Sequence, residues 1–75
     1  MFEQDRFQVV GTDPVVVEYT TTTFVAADNL VALAQQQPQY ISHTDDRDEL
    51  VRRIRFTISG DLDIFVQGIN DAFQA

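Results

Sequence analysis

The sequence predicts an α+β fold, an N-terminal β-hairpin packed against two or three short helices, and three observations lead there. Two β-favouring runs, "RFQVV" (6–10) and "VVVEYTTTTF" (15–24), flank the turn residues "GTDP". The composition then switches to helix formers in "AADNLVALAQQQ" (26–37). Farther on, "DDRDELVRRI" (45–54) runs from acids to arginines, as a helix dipole favours, and the tail carries an apolar stripe at helical spacing.

Taken in order, "GTDP" (11–14) supplies a glycine for unusual φ, an aspartate for local hydrogen bonds and a proline with fixed φ, so a hairpin joins the first two strands. The second strand is almost wholly β-branched or aromatic, which suits a pleated surface and penalises a helix through lost χ1 freedom. Its threonines form either a solvated face or an edge for another subunit, because they pair well across strands and offer no charge to block approach. In 26–37, Ala27, Leu30, Val31 and Ala34 recur at helical spacing, and Pro38 limits the far end. The short glutamine run reads as the end of that helix and a loop.

Over 45–54 the spacing predicts a helix with Leu50, Val51 and Ile54 on one side, ending near Arg53 or Arg55, after which "IRFTIS" (54–59) alternates like a strand. Thr44 or Asp45 serves as its cap, and Asp48 with Arg52 and Glu49 with Arg53 form i, i+4 pairs in the favourable order. The tail "SGDLDIFVQGINDAFQA" (59–75) has two readings. A helix places Leu62, Phe65, Val66, Ile69 and Phe73 on one stripe; a second hairpin at 53–67 joins "IRFTI" to "LDIFV" through Ser59-Gly60-Asp61. The helix is preferred because it also accounts for positions 69–73. No segment repeats another and no composition break marks a linker, so residues 1–75 are expected to form a single small domain.

Seventy-five residues bury only about 60% of their unfolded surface, and with no cysteine available oligomerisation is the remaining source of support. No basic leader precedes an apolar run and no stretch is long enough to cross a bilayer, so a cytoplasmic location and no membrane contact are expected. Twelve acids against five arginines and no lysine give a net charge of −7, which repels phosphate backbones and anionic lipid. Direct nucleic-acid binding is therefore not expected.

The stretch "HTDDRDE" (43–49) holds the only histidine beside four carboxylates. On a helix His43 with Asp46, or Asp45 with Glu49, would share a face, but this is far short of a converging ligand set and fits no calcium-loop pattern. No metal and no cofactor are expected. Residues 45–55 carry four acids and four arginines, so the excess acidity lies elsewhere, and the arginines could form a local patch for a carboxylate or phosphate. Catalytic residues are not expected either, since Ser42 adjoins His43 rather than facing it, there is no cysteine or lysine nucleophile, and the glycines are isolated.

The order strand, helix, helix from Val15 to Arg55 is similar to that of the ribbon-helix-helix DNA-binding dimers. That resemblance would imply a dimer whose strands enter the major groove, yet this strand offers Glu18 and threonines where basic and amide side chains would be needed. The leading expectation is a non-enzymatic protein–protein interaction or assembly module, self-associating or bound to a protein partner. Its contact residues would be Tyr19, Thr21, Thr23 and Phe24 on the long strand. The alternative is a small acidic inhibitor of phage type, imitating a nucleic acid in the basic groove of an enzyme.

Overall fold

The computed structural model describes residues 2–74. After a 3-10 turn at Gln4–Arg6, the chain forms β1 (Phe7–Thr12), β2 (Val15–Thr21), α1 (Phe24–Gln35), β3 (Tyr40–Arg47), β4 (Arg52–Ile58) and α2 (Leu62–Gln74). The strands make one antiparallel sheet in the order β1-β2-β4-β3. Between β2 and β3 the chain crosses through α1, which leaves a gap in the sheet that β4 fills.

This corrects the architecture expected from the sequence. The N-terminal hairpin forms, but it is half of a four-stranded sheet rather than a free hairpin against helices, and the described residues hold two α-helices. The stretch 45–54 is not helical: it is the end of β3, a tight loop and the start of β4. Nor does a second hairpin form at 53–67; the second hairpin is β3–β4, and the tail folds as α2. With the second helix of the pair gone, the element order of ribbon-helix-helix proteins does not hold.

Alternation along the two central strands, β2 and β4, divides the sheet into two faces. On β4, Arg52, Ile54, Phe56 and Ile58 are buried while Arg53 and Arg55 are exposed; on β2, Val17, Tyr19 and Thr21 are buried. Both helices lie on the buried face, supplying Ala27, Leu30 and Ala34 from α1 and Phe65, Val66 and Ile69 from α2 to a single core. Phe65 meets Phe56 edge-on at 5.6 Å between centroids. Phe2 is tied down through Asn70, whose Oδ1 accepts from the Phe2 N–H and whose Nδ2 donates to the Phe2 carbonyl, both at 2.8 Å.

Local chemistry sets the start of α2. Gly60 has φ +98°, a conformation costly for a residue with a Cβ, and it turns the chain out of β4. Asp61 then accepts the Asp63 N–H with its carboxylate at 3.0 Å, satisfying one of the unpaired donors of the first turn. Gly68 lets the Gln37 carboxamide sit against α2, where a Cβ would collide with it.

Candidate interaction surfaces

The arginines of "VRRIR" separate by face. Arg52 points inward and is 2% exposed; it donates through Nε to Asp45 Oδ1 at 3.2 Å and through Nη1 to Asp28 Oδ1 at 2.6 Å and the Phe24 carbonyl at 3.1 Å. Nη2 completes a two-pronged contact with Asp45 Oδ2. The Phe24 ring lies 5.5 Å from the guanidinium carbon. One buried cation thus joins the start of β4, the far part of β3 and the first turns of α1, and its charge is answered twice.

That contact makes the fold pH-sensitive. The hydrogen bond from Arg52 holds the Asp45 carboxyl below the ordinary value of 3.8, against a smaller opposing effect of burial. A carboxylate with a depressed folded pKa stabilises the native state fully above its unfolded pKa and loses that contribution as pH falls through the folded value. Asp45→Asn imitates the protonated acid, so the gap in melting temperature between wild type and this variant should be widest near neutrality. It should narrow below the unfolded value of 3.8. A gap that stays constant from pH 7 to about pH 2 would show that the carboxylate charge is not what Arg52 uses.

Arg53 and Arg55 project from the opposite, open face. Two cross-strand rows form there, Glu18–Arg55–Thr44 and Thr20–Arg53–Asp46. Arg55 Nε donates to Glu18 Oε2 at 2.8 Å. Thr44, Asp46, Arg53 and Arg55 line a shallow depression of about 240 Å³. Its two arginines face an aspartate within the depression and a glutamate beside it, so the local charge cancels. The patch of four arginines considered from the sequence is thus divided between two faces of the sheet.

His43 lies on the helix face of β3, half-buried, opposite Phe56. Its Nδ1 is 2.7 Å from the Tyr40 hydroxyl and its ring is 6.1 Å from that of Phe56. Among the described residues no three His, Asp or Glu side chains converge. No described helix is long and apolar enough to cross a membrane.

The four residues chosen from the strand 15–24 do not share one surface. Tyr19 and Thr21 are buried, Thr21 accepting the Thr23 N–H at 3.1 Å, while Thr23 and Phe24 are exposed at the start of α1, with one side of the Phe24 ring against Arg52. β2 is paired with β4 along its whole length but with β1 only from Val15 to Tyr19; Thr20 and Thr21 lie beyond β1, where Arg6 Nη2 donates to the Thr20 carbonyl at 3.0 Å. Tyr19 instead supports β1 from behind, its ring 4.8 Å from Phe7.

The free edges are β1 and β3, and they differ. β3 carries Asp45, Asp46 and Arg47, the kind of charges that discourage strand addition, whereas a register shift is common to both edges, between Tyr40 and Ser42 in β3 and between Val9 and Gly11 in β1. β1, "FQVVGT", has no charged residue, and its Val9 and Val10 are each about half exposed (50% and 52%). Sequence reasoning passed over this strand because "RFQVV" is short; the signal available was its lack of charge between Arg6 and Asp13. No family model, curated protein or solved structure matches this chain.

Proposed function

We propose that the protein is a non-enzymatic protein–protein interaction and assembly module that docks a partner strand along β1. The observation that carries this reading is the uncharged, half-apolar edge of β1, set beside a charged opposite edge. Strand addition supplies main-chain hydrogen bonds to groups that β2 leaves unpaired, and the exposed valines add apolar contact. The buried Tyr19 and Phe7 rings hold the strand in place from the core side. In this reading the contact residues move from the strand at 15–24 to its neighbour.

Val9→Lys places a charge on that edge without opening the core. A tagged chain and this variant, each incubated with source-cell extract and with the untagged chain, should differ: the wild type retains a bound protein or a second copy, and the variant loses it. Amides of residues 7–12 should exchange more slowly in the complex than in the free chain. Binding that is indifferent to Val9→Lys, with no added protection on β1, would remove this edge from consideration.

A further inference from the structure

We infer that the strand docked on β1 is β1 of a second copy, paired antiparallel about a twofold axis that passes between Val9 and Val10. This rests on the docking role given to β1 above and goes on to identify the partner. The deciding feature is the irregularity in β1. Phe7, Val9 and Thr12 lie opposite Tyr19, Val17 and Val15 of β2, whereas Gln8 and Gly11 lie opposite Glu18 and Val16, with Val10 as the extra residue.

Residues that face each other across antiparallel strands must carry their side chains on the same side of the sheet. A twofold pairing that uses the whole strand sets Phe7 against Thr12 and Gln8 against Gly11 of the second copy. In a regular strand Phe7 and Thr12, an odd number of positions apart, would point to opposite faces and this register would fail. The extra residue at Val10 repairs it: Phe7 and Thr12 both lie on the helix face, and Gln8 and Gly11 both on the open face. A bulge spoils an edge for an ordinary strand but is matched by the same bulge in a copy. The half-exposed Val9 and Val10 then meet at the axis.

Charge favours the same arrangement. The uncharged strand is bounded by Arg6 before it and Asp13 after it. Antiparallel self-pairing brings Arg6 of each copy toward Asp13 of the other, twice by symmetry, while a parallel arrangement would oppose like charges. Arg6 makes no ion pair among the described residues; it donates one hydrogen bond, from Nη2 to the Thr20 carbonyl at 3.0 Å, and a guanidinium has donors to spare.

The test is sedimentation equilibrium of the full chain at moderate salt, which screens the like net charge of the two copies. The wild type should dimerise. Arg6→Asp and Asp13→Arg should each weaken the dimer by about tenfold, since each changes two attractive contacts into repulsive ones. The Arg6→Asp/Asp13→Arg double variant should recover most of the loss, which a mere loss of fold stability would not produce, and Val9→Lys should give monomer. A dimer indifferent to the charge swap, or one that both single variants weaken without recovery in the double, overturns the twofold pairing. A monomeric chain that still captures another protein through β1 keeps the docking role and overturns the second copy as its occupant. A monomer that captures nothing overturns both.

Discussion

Arg52→Met is expected to lower the unfolding free energy by about 3–5 kcal/mol, a large share of the about 4–11 kcal/mol typical of a chain this long. The loss comes from what the arginine leaves behind. Asp45, whose side chain is 21% exposed, keeps a carboxylate with no donor from Arg52, and the Phe24 carbonyl loses a charged partner. Asp28 matters less, because at 64% exposure water replaces the guanidinium readily, so Asp28→Ala should cost under about 1 kcal/mol. Removing the stranded acid as well, in Arg52→Met/Asp45→Leu, should restore part of the loss, since an apolar pair of similar volume can replace a buried ion pair. Urea unfolding of the wild type and these three variants decides this: an Arg52→Met loss near zero, or a double variant no more stable than Arg52→Met alone, would mean that Arg52 is not the buried joint described above.

That joint also shows why the sequence misled over 45–54. Acids followed by arginines read as a helix because Asp48–Arg52 and Glu49–Arg53 fall one turn apart. The same order, folded back at 48–51, places Asp46 opposite Arg53 and Asp45 diagonally across from Arg52. Complementary charge arranged around a turn looks alike to a helix and to a hairpin. The apolar residues discriminate better: the helix reading turned Leu50 inward, yet it is 77% exposed in the hairpin loop, while the alternation Ile54, Phe56, Ile58 was already a strand signal that extends back to Arg52. A buried charge at the first step of that alternation is what local pattern reading could not foresee, because its partners come from α1 and β3. By contrast the N-terminal hairpin and the first helix were legible, their β-branched and helix-forming runs being uninterrupted. The β1 edge was hidden for a different reason. Which strand lies outermost depends on β4 inserting beside β2, a pairing across more than thirty residues that no local window contains.

The centre of that long-range pairing is where the second large effect is expected. Phe56 lies on β4 between Val17 of β2 and His43 of β3, is fully buried, and receives the edge of Phe65 from α2. It is thus a contact among two strands and a helix, of which β2 is remote in sequence, and little of the surrounding sheet can collapse into the space it leaves. Phe56→Ala should cost about 3–5 kcal/mol, from lost transfer free energy and the cavity together. Phe56→Leu keeps most of the volume and should cost under about 1.5 kcal/mol. Phe73 supplies the contrast on α2 itself. It is 45% exposed and touches Phe2 at 5.5 Å from the rim of the core, so Phe73→Ala should cost far less than Phe56→Ala. If urea unfolding ranked Phe73→Ala above Phe56→Ala, the core would be centred near the termini rather than on β4, and the insertion of β4 that leaves β1 at the edge would have to be abandoned.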